Sequence, residues 1–226
     1  RPEGCSRDGD AVMEITVAKT AGFCFGVKRA VDMINDSIES SDKKIYCLGE
    51  LIHNRIFTES LKNRGVVFAD PAVLSEIPKD ALLFLRAHGT TKQTFEFLAE
   101  KGIEFVDATC PYVSKIHKIV DSQPETARVM LIGDPKHPEV EGIMSWAKGD
   151  GQVYSDLNHI NSSHPDGFIS EEDCILAVQT TYSGAEWIKC RERIKELYPN
   201  VRVFETICSV TENRQKKTRG FPYVEF

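Results

Sequence analysis

The stretch IEFVDATCPYVSKIHKIV, residues 103–120, decides the fold. Its first part is β-branched and aromatic and reads as a strand. After Pro111 the apolar residues recur at helical spacing. Cys110 falls at the junction. Two more cysteines share this setting: Cys24 in TVAKTAGFCFGVKRAVDMI (16–34) and Cys208 in VRVFETICSVTENRQKK (201–217). Each follows a strand-like run and opens a helix-like one. A helix N-terminus carries partial positive charge and favours the thiolate, the form that ligates metal. One α/β unit used repeatedly, each copy offering a thiol to a common centre, accounts for the recurrence. Three converging thiolates suggest an iron–sulfur cluster with one iron open for chemistry.

Outward from these junctions the same alternation runs along the chain. MEITVA, KKIYCLGE, ALLFLRAHG, IEFVDA, ARVMLIG, CILAVQTT and VRVFE read as strands. VKRAVDMINDSIES, NRIFTESLKNRG, KQTFEFLAEKG, YVSKIHKIVDS and AEWIKCRERIKELY read as helices. Strands alternating with helices predict an α/β fold with parallel sheets and right-handed crossovers. In such sheets ligands collect beyond the C-terminal ends of the strands.

The residues at those ends are polar and specific in type. His53 follows the first internal strand run, His88 the second, and His137 with Glu139 and Glu141 the run ending at Ile132. Gln179, Thr180 and Thr181 follow CILAV. Imidazoles donate well to phosphate oxygens and carry protons near neutral pH. The His137–Pro138 pair is read as a tight loop holding His137 and Glu139. His117, His159 and His164 are read as surface residues. A zinc site is the rival for the cysteines, but structural zinc sites use close pairs such as C-x2–4-C, and none exists here. Cys47, Cys174 and Cys190 lie in apolar strands or an amphipathic helix and are read as packed thiols. Gly22 and Gly26 are expected to let backbone approach a ligand beside Cys24. No P-loop or G-x-G-x-x-G fingerprint is present.

Composition bounds the class. The 226 residues are 41% hydrophobic with net charge −6 and seven cysteines. The acidic balance argues against a general nucleic-acid binder. No apolar run approaches the ~18–20 residues of a membrane span. Cysteines without a signal peptide point to a reducing, cytoplasmic setting, with thiols free or metal-bound. Residues 1–12 are polar and aperiodic and are read as a non-native or disordered leader preceding Met13.

Seven segments now combine: AGFCFGVKRAV (21–31), GELIHN (49–54), RAHGTT (86–91), DATCPYVSKIH (107–117), IGDPKHPEVEGI (132–143), QTTYS (179–183) and TIC…RQ (206–215). In this order they resemble the 4-hydroxy-3-methylbut-2-enyl diphosphate reductase family, the last enzymes of the non-mevalonate isoprenoid pathway. The resemblance runs from Met13 to about Gln215. It implies a pseudo-threefold trefoil of α/β units around a central [4Fe–4S] cluster held by Cys24, Cys110 and Cys208. It implies that the fourth iron takes the substrate hydroxyl, and that His53, His88 and His137 grip the diphosphate. It gives Glu139 proton delivery and Thr180 a place in the hydrogen-bond network around the hydroxyl. Electrons are expected from a separate carrier such as ferredoxin or flavodoxin, since no flavin or nicotinamide site is recognisable.

The units are read as residues 25–109 and 110–204, with 13–24 and 205–226 as the remnant of a third unit that is largely missing. The family's Ser/Asn-rich diphosphate motif does not follow Cys208, so this chain is expected to hold little cluster and turn over weakly or not at all. Two rival functions stay open: an iron–sulfur hydro-lyase-like enzyme, which needs no external electrons, and a zinc-stabilised structural protein.

Overall fold

The computed structural model describes residues 21–218. The MEITVA strand, the leader and the last eight residues lie outside the described residues. Two four-stranded sheets, parallel throughout, organise the rest. In the first, β1 (Ile45–Leu48), β2 (Val67–Ala69), β3 (Leu82–Leu85) and β4 (Phe105–Asp107) run in the order β2-β1-β3-β4. In the second, β5 (Arg128–Ile132), β6 (Gly151–Tyr154), β7 (Cys174–Val178) and β8 (Arg202–Val203) repeat that order as β6-β5-β7-β8. The registers match too: Leu48 pairs with Leu85 in one sheet and Ile132 with Val178 in the other.

The central strands β3 (LLFL) and β7 (CILAV) are buried at every position. That is what a parallel strand covered on both faces requires, and why these runs are continuously apolar. Among the described residues eight α-helices accompany the sheets: α1 (Phe25–Ser40), α2 (Arg55–Asn63), α3 (Lys92–Lys101), α4 (Pro111–Asp121), α5 (Pro138–Met144), α6 (Leu157–Ser163), α7 (Gly184–Leu197) and α8 (Ser209–Thr218). Their starts follow capping chemistry. Asn54, Thr91, Asp156 and Ser183 side chains accept backbone N–H bonds at the heads of α2, α3, α6 and α7. α1 lays Ala30 and Ile34 on one face of the first sheet with Cys47 and Phe84. α4 lays Ile116 and Val120 against Val129, Leu131 and α5 on the second. Among the described residues no helix is long and apolar enough to cross a membrane.

The structure adds elements the sequence reading omits. β2 and β6 are short edge strands, stabilised by pairing with β1 and β5 rather than by their own apolar content. α5 replaces the expected tight loop: His137 is its N-cap and Pro138 its first residue, where a missing N–H costs nothing. His117 is a correction of substance. It is buried, because it shares the inward face of α4 with Val113, Ile116 and Val120. His164 is half-buried, with its ring nitrogens 3.1 Å from the Tyr198 hydroxyl and 2.8 Å from the Ile160 carbonyl. His159 is half-buried too, its Nδ1 accepting the Ser155 N–H.

Candidate active site

Equivalent hydrogen bonds hang one cysteine beyond each sheet. After β3, the Ala87 carbonyl accepts the Cys110 N–H at 2.9 Å. After β7, the Thr180 carbonyl accepts the Cys208 N–H at 2.9 Å. Each thiol therefore follows the outer strand of its sheet and is tied to the loop leaving the adjacent central strand. Cys24 and Cys110 are the N-caps of α1 and α4, and Cys208 directly precedes α8. The three cysteines line one cavity of about 240 Å³ together with His88, Glu139 and Thr180. Gly26, in the first turn of α1, makes this approach possible, since a Cβ there would collide with Cys110 Sγ. Gly22 has φ +106°, a backbone conformation that favours glycine.

The thiol electrostatics also differ from the simple dipole expectation. The Tyr112 and Val113 N–H groups at the head of α4 do pull the Cys110 thiol down. Burial outweighs them and holds it above its ordinary value, with Cys208 and Cys24 adding to the rise. A cationic centre would reverse that balance, as metals deprotonate coordinating thiols. Cys47, Cys174 and Cys190 are fully buried in the cores, as expected, and burial pushes Cys47 up to about 12 and Cys174 to about 11. Among the described residues no three Cys, His, Asp or Glu side chains are arranged to hold a single metal ion. A mononuclear zinc site needs its donors around one point. Three soft thiol donors lining one cavity are the donor set that iron–sulfur clusters use.

Glu139 lies in the first turn of α5, only 1% exposed. Its Oε1 accepts the Thr180 N–H at 2.7 Å and its Oε2 the Thr180 hydroxyl at 2.9 Å. Burial raises its pKa, against the two Thr180 bonds that lower it. Such a carboxyl keeps its proton to higher pH than an exposed one. Glu141, by contrast, is exposed.

The three strand-end histidines meet. The His53 and His88 rings stack at 4.1 Å, and His137 stands edge-on to both at 5.6 Å. His137 Nδ1 accepts the Glu139 N–H at 3.1 Å, so its Nε2 carries the free proton. Burial first, then the neighbouring histidines, hold His88 down at about 3. His137 is lowered for the same leading reason. His88 and His137 are therefore neutral donors at pH 7. The loops carrying them are braced across the two sheets, with the Lys92 N–H donating to Ser145 Oγ at 2.8 Å at the end of α5.

Sequence reasoning missed Arg86, at the end of β3, and the inward placement of His117. The His117 ring stacks on Trp146 at 5.5 Å and packs beneath Gly89, next to His88. Burial pulls it down to about 4, with Asp107 opposing. A histidine lowered from ~6.5 in the unfolded chain stabilises the fold above that pH, and the contribution is lost as pH falls towards 4. Acidification from neutral pH is therefore expected to cost stability, on the order of 3 kcal/mol from this residue. His117→Gln should flatten the slope, read by urea unfolding at neutral and mildly acidic pH. An unchanged slope would place its neutralisation elsewhere.

Known proteins resemble this arrangement along most of the chain. The family model described as LytB protein matches residues 15–223. A 4-hydroxy-3-methylbut-2-enyl diphosphate reductase of Caldanaerobacter subterraneus is 34% identical over 206 residues, covering 90% of this chain and 70% of that protein. The enzyme of that name from Alkaliphilus oremlandii is 37% identical over 212 residues, covering 92% and 72%. The solved E-1-hydroxy-2-methyl-but-2-enyl-4-diphosphate reductase of Plasmodium falciparum superposes with TM-score 0.78 at 28% identity, covering 86% of this chain and 61% of that one. A solved (E)-4-hydroxy-3-methyl-but-2-enyl diphosphate reductase, described as the terminal enzyme of the non-mevalonate pathway, gives 0.74 at 34% identity, covering 91% and 72%. With its fold, its strand-end residues and these relatives in agreement, the chain belongs to the LytB protein family.

Proposed function

We propose that this protein is an oxidoreductase that removes the hydroxyl of 4-hydroxy-3-methylbut-2-enyl diphosphate, giving isopentenyl and dimethylallyl diphosphates. One observation carries the reading: three cysteines from separate junctions line one cavity with the buried Glu139–Thr180 pair, and His88 joins that cavity to the imidazole cluster. Cys24, Cys110 and Cys208 would hold a [4Fe–4S] cluster, which when bound supplies electrons and a Lewis-acidic iron for the hydroxyl. Glu139 holds the proton that the departing oxygen needs, and its raised pKa keeps that proton available. Thr180 fixes both carboxyl oxygens and so aims the acid. His53, His88 and His137 donate to the diphosphate, the remote handle that positions the reacting carbon. Val27, Ala87 and Val113 give the cavity apolar walls that exclude water. The two electrons would come from a carrier protein such as ferredoxin or flavodoxin in a reducing, cytoplasmic setting. Residues 25–109 and 110–204 are proposed as the two α/β units flanking the site.

The test is anaerobic reconstitution with iron and sulfide, then substrate with and without a one-electron reductant. The relatives are longer, so the 226-residue chain is assayed beside a version carrying a relative's remaining length. Conversion to the two isoprenoid diphosphates only with reductant is expected. Consumption without reductant would instead support a hydro-lyase, and zinc retained in place of iron a structural protein.

A further inference from the structure

Arg86 directly follows β3 in the run LLFLRAHG, two residues before His88, on one of the three loops whose histidines meet. Its Nε donates to the Gly89 carbonyl at 3.1 Å, and its own carbonyl accepts the Gly89 N–H at 3.0 Å. The residue thus closes the turn that presents His88. A Cβ on Gly49, at the head of the loop leading to His53, would stand 3.4 Å from Arg86 Nη1. The charge also acts on His88 and His137, and Glu141 of α5 acts back on it.

The charge is half-buried, yet among the described residues no carboxylate forms an ion pair with it. Of the other half-buried arginines, Arg128 meets Glu172 at 3.2 Å and Arg191 meets Glu205 at 2.6 Å, whereas Arg29 is held by the Thr109 and Asp107 carbonyls at 3.2 and 3.3 Å. A partly desolvated cation without a counter-ion is costly, and arginine cannot relieve the cost by losing its proton. His88 beside it does not share the charge, since burial holds it down at about 3. A guanidinium offers a planar fork suited to phosphate oxygens.

We propose that Arg86 supplies the fixed positive charge of the diphosphate subsite, with His53, His88 and His137 supplying directional hydrogen bonds. This rests on the reading of the histidine cluster as that subsite, and it adds a specificity-determining residue to it. The titratable groups facing Arg86 are His88, His137, Glu141 and the buried Cys47, with Asp134 beside His137 and Glu50 beside His53.

Calorimetric titration of the 226-residue chain with inorganic diphosphate tests it, at low and high salt. Arg86→Gln should weaken binding about 10–100-fold, the loss of one charge-assisted contact, and reduce its salt dependence. What binding remains should depend little on salt, because it then rests on hydrogen bonds from the imidazole N–H groups. Arg86→Lys should keep the salt dependence and much of the affinity, and circular dichroism checks that both variants fold. Wild-type affinity and salt dependence in Arg86→Gln would overturn the inference. So would Arg86→Lys as weak as Arg86→Gln with the wild-type salt dependence in both, since Arg86 would then only brace the turn. His88→Asn separates the two levels. If it weakens binding while Arg86→Gln does not, only the arginine's role fails. If neither variant changes binding, or the wild type does not bind, the diphosphate reading fails along with it.

Discussion

Glu139→Gln is expected to cut turnover about 10²–10⁴-fold, the usual worth of a positioned general acid, in whichever version of the chain turns over. The amide keeps the shape of the site. Its oxygen can still accept the Thr180 N–H, and its NH₂ can donate to the Thr180 hydroxyl, which then acts as acceptor. What it lacks is a transferable proton. Substrate affinity and iron content should therefore stay near the parent values. The parent rate should fall as pH rises through the raised pKa of Glu139, where the acid form is lost, and this limb should vanish in the variant. Near-normal turnover in Glu139→Gln would move proton delivery to Glu141 or a histidine.

Gly26→Ala should produce the second large effect, on the cluster rather than on the chemistry. In a helix, Ala is favoured over Gly by roughly 0.5–1 kcal/mol, and Gly26 has no left-handed backbone to forbid it. Local propensity thus predicts a gain. The space does not allow it, because the new methyl overlaps Cys110 Sγ. Moving that thiol aside, or tilting α1, costs about 1–3 kcal/mol as overpacking. It also takes a donor out of the cavity. The fold should survive, seen by circular dichroism, while reconstituted iron drops several-fold. Full iron loading with normal turnover would show that α1 can yield and that Cys110 has slack.

Much of this was legible in the sequence, and the reasons differ by element. β3 and β7 announced themselves because strands buried on both faces are apolar at every position. The long helices α1, α3, α4 and α7 carried clear periodicity. β2 and β6 did not, because three or four residues at a sheet edge owe their conformation to the neighbouring strand. α5 is too short for a period to show, although His137–Pro138 followed by two glutamates is a helix-start pattern. His117 was readable: Val113, Ile116, His117 and Val120 recur at the spacing of one helix face. The strand–Cys–helix setting singled out the three cysteines, but the matched bonds from Cys110 to Ala87 and from Cys208 to Thr180 are tertiary. That Arg86 has no ion pair among the described residues could not be read from sequence, since that depends on which carboxylates the fold brings near. The expected third-unit pairing of MEITVA lies outside the described residues.

The central claim is that Cys24, Cys110 and Cys208, and not the buried thiols, hold one iron–sulfur cluster. Iron and acid-labile sulfide measured after anaerobic reconstitution test it directly, on single Cys→Ser variants of all six cysteines between residues 24 and 208. Cys24→Ser, Cys110→Ser and Cys208→Ser should each lose most of the iron, sulfide and visible absorbance that the parent acquires. Cys47→Ser, Cys174→Ser and Cys190→Ser should load as the parent does, at some cost in stability. A Cys47→Ser variant that loses the cluster while Cys24→Ser keeps it would contradict the assignment.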